Sequence, residues 1–329
     1  MSRTRVVAVS YPVNEDYAKI TQEILGADAS LVFLQQEPET ERAALTSRAE
    51  VLLSWNPDRE LPAGALSDAA ELRFIQLLSA GADFIDFTAI PERVVLAGNV
   101  GAFAKPMAEH VLAMSLALAR RLPQRHAELA AGQFNQQPPL ITLDGAVCAI
   151  LGFGGIGTAT AALMRGLGAR IHAVNSSGRT AEPVDFCGTL ADLDQVLTAA
   201  DVLVLSLPLT NSTRGLIGAR ELALMKPAAI LINVARGAIV DEQALYQHLA
   251  ANPEFTAGID TWWHEPRGGS SFRVDFPFFD LPNLIGSPHN SPIVPGAILG
   301  AARLAAENVR RHLRGEPVTG VMRRADYLS

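Results

Sequence analysis

The stretch AVCAILGFGGIGTATAALMRGLGARIHAVN, residues 146–175, is the strongest indication of how this chain folds. It starts as an apolar run typical of a buried strand. It then passes through Gly152, Gly154 and Gly157 in G-x-G-x-x-G spacing, followed by a helical pattern and a second apolar run. The glycine pattern alone is a weak signal, but the order strand, loop, helix, strand is the context that a dinucleotide-binding unit requires. The stretch therefore predicts a βαβ unit that holds a pyrophosphate.

Each glycine of this loop has a distinct expected task. Gly152 permits the tight turn, Gly154 lets the backbone approach a pyrophosphate, and Gly157 lets the helix pack closely on the strand. The N-terminus of the helix would face the phosphates with free N–H groups and a favourable dipole. We predict that the cofactor contacts Gly152, Gly154, Gly155, Ile156 and Gly157.

The end of the second strand of this unit bears on the choice of cofactor. NAD-binding units usually place Asp or Glu there to bind the ribose hydroxyls. Here the chain reads VNSSGRT, with Asn175, Ser176, Ser177 and Arg179, and the first acid is Glu182. Two hydroxyls and a guanidinium could bind a 2′-phosphate. The sequence thus favours NADP(H) and leaves NAD(H) as the alternative, in which this is a polar surface loop with a solvated Arg179.

Short apolar runs alternate with longer helical patterns on both sides of this unit. The runs before it include RVVAVS, SLVFL, VLLSW, FIQLLS and VVLAGN, and those after it include DVLVLSLP, AAILINVA, FTAGID and NLIGSPH. Such alternation predicts parallel strands joined by crossovers. The expected fold class is α/β with two doubly wound parallel-sheet domains. Long helices are expected at about residues 106–121 and 293–313, the second ending before Gly315.

The composition excludes several classes of protein. With 329 residues, 49% hydrophobic and 19% charged, the chain is globular and long enough for two domains. A net charge of −7 offers no footprint for nucleic acid or anionic lipid. No run approaches the ~20 apolar residues of a membrane span, and the N-terminus reads as a strand rather than a signal peptide. Two cysteines predict no disulfide framework, so we expect a cytoplasmic protein. No metal is predicted.

Three segments after the glycine loop carry chemically useful side chains at expected strand ends. They are NVARG with Arg236, GIDTWWHEP with Asp260 and Glu265, and GSPHNSP with His289. Arg offers a planar fork to a carboxylate, His exchanges a proton near neutral pH, and a neighbouring Glu orients the ring and favours its charged form. Gly237, directly after Arg236, is expected to leave room for a ligand. Trp55, at the end of the third strand, is a candidate substrate contact.

The chain resembles the D-2-hydroxyacid dehydrogenase family, with its glyoxylate/hydroxypyruvate reductases. The motifs LGFGGIG, LPLTNSTRGLI, NVARGAIVDEQAL, GIDTWWHEP and LPNLIGSPHNS carry the resemblance in order and spacing, and LLSAGADFID, MAEHVLAMSLALARR and AAENVRRHLRGEP extend it over nearly the whole chain. It implies a Rossmann-type nucleotide domain, residues 103–290, inserted into a flavodoxin-like substrate domain, residues 1–102 plus 291–329. It also implies a homodimer.

The resemblance implies roles for individual residues. Arg236 would bind the substrate carboxylate, His289 would be the acid/base, and Glu265 its partner. Backbone groups of Ser79, Ala80 and Gly81 would hold the substrate, with Arg236 and His289 also in contact with it. The remaining implied cofactor contacts are Leu207, Pro208, Thr213, Val234, Ala235, Arg236, Asp260 and His289.

The expected reaction is NAD(P)H-dependent reduction of a small 2-oxo acid of the glyoxylate or hydroxypyruvate class to the D-2-hydroxy acid, or the reverse oxidation. A formate dehydrogenase on the same fold is disfavoured, because formate needs no proton and the His–Glu pair would have no task. A phosphite dehydrogenase with a similar triad stays open. So does a nucleotide-sensing protein of the corepressor type, although the chain lacks long tails that would recruit partners.

Overall fold

The protein is described here by a computed structural model that covers residues 5–137, 140–266 and 269–328. The described residues form two compact units. The first lies within Met1–Ala102 and Pro295–Ser329, and the second is Phe103–Val294. Positions 1–4 and 329, at the ends of the predicted domain ranges, lie outside the described residues.

The first unit is a parallel sheet with helices. Its elements are β1 (Val6–Val9), α1 (Glu15–Leu25), β2 (Ser30–Phe33), α2 (Glu39–Ser47), β3 (Val51–Ser54), α3 (Pro57–Glu60), β4 (Phe74–Leu77), β5 (Val95–Ala97) and, much later in the chain, α10 (Ala297–Arg314). The strand order is β2-β1-β3-β4-β5, with every pair parallel. This is the flavodoxin-like order, whose direction of progression switches between β1 and β3.

The closing helix α10 belongs to the first unit because its apolar face completes that core. Small and aliphatic residues on this face, Ala302, Ala305, Ala306, Val309 and Leu313, are buried with β1, β3 and α1. Asn308, on the same face, donates from Nδ2 to Gln76 Oε1 at 2.6 Å and to Thr319 O at 2.9 Å. The apolar stripe at helical spacing thus returns the end of the chain to the first sheet.

The second unit contains a longer parallel sheet. Its elements are α4 (Ala104–Ala119), α5 (Leu122–Ala130), β6 (Val147–Leu151), α6 (Gly155–Gly166), β7 (Arg170–Val174), β8 (Phe186–Gly188), α7 (Leu193–Ala199), β9 (Val202–Leu205), α8 (Ala219–Leu224), β10 (Ile230–Asn233), α9 (Glu242–Ala251), β11 (Thr256–Ile259) and β12 (Leu284–Gly286). Single 3-10 turns across the chain lie at Leu34–Gln36, Leu190–Asp192, Gly237–Ile239, Phe278–Asp280 and Arg324–Asp326.

The strand order of the second sheet is β12-β11-β10-β9-β6-β7-β8. This is the Rossmann order with one added strand, and it switches direction between β6 and β9, next to the glycine loop. Its central strands β6, β9, β10 and β11 are buried throughout, as expected for a parallel sheet covered on both faces. The predicted fold class, two doubly wound parallel sheets, is therefore confirmed.

Two helices have boundaries that differ from the sequence-based expectation. The helix predicted at residues 106–121 is α4, Ala104–Ala119, and Arg121 beyond it has φ 48°, a left-handed conformation that stops the helix. The helix predicted at 293–313 is α10, which begins only at Ala297 because Gly296 has φ 77°. It ends before Gly315, whose φ is 72°, as expected. No helix of the described ranges is long and apolar enough to cross a membrane.

Candidate active site

The glycine loop between β6 and α6 has the backbone geometry that a dinucleotide needs. Gly152 has φ 95°, and a Cβ there would lie 2.5 Å from Leu207 N. A Cβ on Gly157 would lie 2.3 Å from Gly152 O, so helix and strand are in direct contact. At Gly154 a Cβ would meet nothing within 4 Å. Only the middle glycine borders open space, where a pyrophosphate could approach the N-terminus of α6.

The loop after β10 presents Arg236. The Asn233 amide holds its backbone, because Nδ2 donates to Arg236 O at 2.9 Å and Oδ1 accepts from Ala235 N at 3.0 Å. Arg236 is half-buried, and its Nη1 donates to Ala235 O at 2.7 Å. A Cβ on Gly237 would lie 2.4 Å from the Trp262 carbonyl carbon. The expectation that Gly237 leaves room for a ligand is wrong, since this glycine instead lets the Arg236 loop pack on the backbone before Glu265.

Glu265 and His289 form a hydrogen-bonded pair beyond β11 and β12. Glu265 Oε2 lies 2.9 Å from His289 Nδ1, and Glu265 Oε1 accepts the Trp262 N–H at 3.0 Å. The side chain of Glu265 is 16% exposed and that of His289 is 34% exposed. The carboxylate is thus fixed at both oxygens, while part of the imidazole remains accessible.

The charge environment keeps Glu265 ionised. Burial on its own would raise the pKa of this carboxyl. The hydrogen bonds from His289 and from Trp262 N–H oppose burial, as do the positive charges of His289 and Arg236, and the pKa ends below its ordinary value of 4.5.

His289 itself has an unusual backbone conformation. Its φ is 50°, one of two positive values among the described residues other than glycine. Asp260, fully buried at the end of β11, surrounds this turn: its carbonyl accepts His289 N at 2.8 Å, Oδ1 accepts Asn290 N at 3.1 Å, and Oδ2 accepts Ser291 N at 3.3 Å. Asp260 therefore holds the turn that presents His289. Its direct contact with a cofactor stays a prediction.

The loop after β7 is organised by Asn175. Its Oδ1 accepts from Ser177 N at 3.0 Å and from Gly178 N at 2.7 Å, and its Nδ2 donates to Arg179 O at 2.8 Å. The Ser177 hydroxyl also lies within this loop, 3.1 Å from Asn175 Oδ1. Ser176 and Arg179 are exposed. Of the four predicted ribose contacts, Asn175 and Ser177 have partners inside the loop, and Ser176 and Arg179 extend into solvent.

The other predicted cofactor contacts lie along the same edge of the second sheet. Leu207, Val234 and Ala235 are buried at the ends of β9 and β10. Thr213 closes the loop after β9, because its hydroxyl donates to Pro208 O at 2.7 Å and accepts from Thr210 N at 2.8 Å. Pro208 is exposed and Ile156 is half-buried in the first turn of α6.

The predicted substrate contacts of the first unit lie beyond two neighbouring strands. Ser79, Ala80 and Gly81 follow β4, and the Ser79 hydroxyl donates to Gly81 O at 2.9 Å. Trp55 follows β3 and is 37% exposed. Glu60, which the sequence analysis missed, anchors this edge by accepting hydrogen bonds from Ser10 and Ser54 hydroxyls and from the backbone N–H groups of Trp55 and Asn56.

A second polar cluster joins the start of α9 to residues on either side of Glu265. Glu242, His264 and Asp275 bring their side-chain ligand atoms within 4.8 Å of one another. The guanidinium of Arg273 lies in the same cluster, paired with Asp275 and 3.3 Å from His264 Nδ1. A metal cation at this position would have to compete with that guanidinium. We therefore interpret the cluster as an ion-pair network that attaches the segment around Asp275 to α9.

The family profile described as D-isomer specific 2-hydroxyacid dehydrogenase, NAD binding domain, matches residues 112–291, more than half of the chain. The chain belongs to this family. The D-3-phosphoglycerate dehydrogenase of Methanocaldococcus jannaschii is 30% identical over 96% of this chain, which spans 59% of that longer protein. The glyoxylate reductase of Thermococcus litoralis is 32% identical over 80% of each chain.

Solved structures agree with the family assignment. A structure from Pyrobaculum aerophilum that carries the provisional name formate dehydrogenase has a TM-score of 0.80 at 26% identity, covering 98% of this chain and 99% of that one. The resemblance to 2-hydroxyacid dehydrogenases inferred from the motifs is therefore confirmed. This is a family of oxidoreductases with an NAD-binding domain, and relatives of this chain bear the names of dehydrogenases and reductases of 2-hydroxy acids.

Proposed function

We propose that this 2-hydroxyacid dehydrogenase family member reduces a small 2-oxo acid of the glyoxylate or hydroxypyruvate class to the D-2-hydroxy acid with NADPH. The observation that carries the proposal is the Glu265–His289 pair, 2.9 Å apart, at the edge of the Rossmann sheet where β10 also delivers Arg236. The positive charge of Arg236 is among the causes that lower the pKa of Glu265. The Arg236 guanidinium, which can bind a carboxylate, and the His289 imidazole, which can donate a proton, thus lie at the same sheet edge as the glycine loop.

Each of the three side chains has a separate task in this reaction. Arg236 binds the substrate carboxylate and polarises the adjacent carbonyl. His289 has Nδ1 on Glu265, so Nε2 is the ring nitrogen that gives its proton to the carbonyl oxygen as that oxygen becomes an alkoxide. Glu265 keeps the imidazole oriented through its 2.9 Å contact with Nδ1. The dinucleotide, when bound along the glycine loop, supplies the hydride.

The exposed Arg179 and Ser176 support NADPH over NADH. No hydrogen bond or ion pair joins the Arg179 guanidinium to another described residue, and the loop carries no acid at the position that usually binds ribose hydroxyls. A 2′-phosphate offers such a guanidinium charge-assisted hydrogen bonds. The other expectations stay proposals: Ser79, Ala80, Gly81 and Trp55 as substrate contacts, the assignment of substrate and nucleotide roles to the two domains, a homodimer and a cytoplasmic location.

A substrate panel tests the proposal. Purified protein is mixed with NADPH or NADH and with glyoxylate, hydroxypyruvate, pyruvate or phenylpyruvate, and cofactor oxidation is followed by absorbance. We expect turnover with glyoxylate, with hydroxypyruvate or with both, and a higher kcat/KM with NADPH. Cofactor binding without turnover of any 2-oxo acid would contradict the proposal and favour a nucleotide-sensing protein.

Oxidation of formate is the second candidate, because the similar Pyrobaculum aerophilum structure carries that name. Formate oxidation is a hydride transfer that releases CO₂ and needs no proton donor. The Glu265–His289 pair would then contribute little, and the two reactions respond differently to its loss. Formate and phosphite with oxidised cofactor belong in the same panel, and turnover of either without turnover of 2-oxo acids would replace the main proposal.

A further inference from the structure

In the second unit, three interacting polar side chains lead from α4 to the turn at His289. His110, on α4, places Nε2 2.9 Å from the Ser287 hydroxyl and 3.8 Å from Asp260 Oδ1. The Ser287 hydroxyl lies 2.5 Å from the same Asp260 oxygen. His110 is 25% exposed and Asp260 is 0% exposed.

The direction of each hydrogen bond follows from counting protons. A carboxylate oxygen can only accept, so the single proton of the Ser287 hydroxyl goes to Asp260. The hydroxyl oxygen must then accept from His110, which places a proton on Nε2 of that ring. The order of donation is therefore His110 to Ser287 to Asp260, and each donor points toward the buried carboxylate.

The Asp260 carboxylate in turn holds the turn at His289. Its oxygens accept the backbone N–H groups of Asn290 at 3.1 Å and Ser291 at 3.3 Å. His289 has φ 50°, a conformation that residues other than glycine adopt only when the surroundings impose it. The same residue must keep Nδ1 2.9 Å from Glu265. Anything that lets the carboxylate rotate would loosen this turn.

We propose that His110 and Ser287 are positioning residues for the acid/base His289. They fix the orientation of the Asp260 carboxylate, and Asp260 fixes the strained turn that presents the imidazole to Glu265. The inference rests on the proposed function, since it assigns His289 a proton-transfer task. The proposal adds His110, on α4 and distant in sequence, to the residues that position His289 at the end of β12.

Variants that remove or retain the donor test this role. His110→Phe keeps an aromatic ring but removes the N–H, and Ser287→Ala removes the hydroxyl. We expect each to lower kcat for the best 2-oxo acid about 10-fold, near the upper end of the cost of a hydrogen bond between neutral groups and the lower end for one to a charged group, with the KM for cofactor unchanged. His110→Gln, which retains a side-chain N–H, and Ser287→Thr, which retains a hydroxyl, should recover most of the loss.

A double variant and a matched control separate positioning from general destabilisation. Because both residues act through the same carboxylate, His110→Phe combined with Ser287→Ala should cost little more than either alone. His248→Phe changes a half-buried histidine of α9 in the same unit and should leave kcat unchanged. Equal losses in the Phe and Gln variants of His110 would show that the donor is irrelevant and would overturn the proposal.

Amide hydrogen exchange provides a readout that needs no turnover. In the wild-type protein the N–H groups of Asn290 and Ser291 should be protected, and His110→Phe and Ser287→Ala should speed their exchange about 10-fold without changing exchange in β6 and β9. Unchanged exchange at both amides would overturn the positioning role even if kcat fell. A wild-type protein that turns over no 2-oxo acid would instead contradict the proposed function, and the exchange result would still decide the coupling.

Discussion

Glu265 Oε2 lies 2.9 Å from His289 Nδ1, while Glu265 Oε1 accepts the Trp262 N–H at 3.0 Å. The carboxylate is thus held at one oxygen by the backbone and at the other by the imidazole. His289 Nε2 has no hydrogen bond to another described residue, so it is the nitrogen that can reach a substrate oxygen. The proposed proton transfer uses this difference between the two ring nitrogens of His289.

Replacing His289 by Ala should lower kcat by roughly 10²–10⁴-fold, the range for the loss of a general acid. The glycine loop is untouched, so dinucleotide binding, measured by quenching of protein fluorescence, should persist. His126→Ala on α5 serves as a control for the loss of a histidine outside the site. Near-normal turnover of the His289 variant would remove this residue from the mechanism.

Glu265→Gln should change the pH dependence of both stability and activity. The pKa of Glu265 is below its ordinary value, so its ionised form stabilises the folded protein above pH 4.5, and this contribution is lost as pH falls through the folded-state pKa. In urea unfolding, the wild-type advantage over the variant should be full near neutral pH and should shrink in acid. The acidic-to-neutral limb of the activity profile should also move. A stability difference that does not depend on pH would contradict this pairing.

Arg236→Lys should not be conservative. The ammonium keeps the positive charge but loses the planar fork that matches a carboxylate. Because the carboxylate is bound in both the ground state and the transition state, we expect losses in KM and in kcat. Circular dichroism and Tm verify that the loop after β10 still folds without the Nη1 hydrogen bond to Ala235 O. Kinetics equal to wild type would mean that Arg236 reads no carboxylate geometry.

Arg179→Ala should reduce the preference for NADPH. Hydrogen bonds to charged groups contribute ~1.5–3 kcal/mol each, so two of them from this loop could supply a preference of about 10²-fold or more. The KM for NADPH should rise while NADH kinetics stay nearly constant, and added salt should weaken NADPH binding more. Arg303→Ala, an exposed arginine of α10, controls for net charge. A wild-type preference for NADH would refute this assignment.

Gly237→Ala should impair folding stability, whereas Gly154→Ala should impair dinucleotide binding. A Cβ on Gly237 would lie 2.4 Å from the Trp262 backbone, so the alanine should lower the free energy of unfolding by about 1–3 kcal/mol. A Cβ on Gly154 meets nothing within 4 Å in the protein, so stability should change little while dinucleotide affinity falls. Urea unfolding and cofactor titration measure the two effects. A destabilised Gly154→Ala variant with normal cofactor affinity would contradict the assignment of the loop.

The fold class follows from patterns in the amino-acid sequence alone. The glycine loop within a strand–loop–helix–strand context, and the alternation of apolar runs with helical patterns, depend on neighbours in the chain and can be read without the tertiary structure. The candidate residues Arg236, Glu265 and His289 were recognised for the same reason, since each lies three to six residues beyond the end of an apolar strand. Helix boundaries were displaced by a few residues, because they depend on the backbone conformations of Arg121 and Gly296.

The way these residues are held depends on contacts between distant parts of the chain. Gly237 proved to be a packing contact with the Trp262 backbone, because the atoms that fill its space come from another loop. The left-handed turn at His289 is held by the buried Asp260, 30 positions away from Asn290, and Ser287 beside it is bonded to His110 on α4, 177 positions away. Such contacts leave no periodicity and no local motif, so they appear only once the strands are side by side and the side chains compete for the same few hydrogen-bond partners.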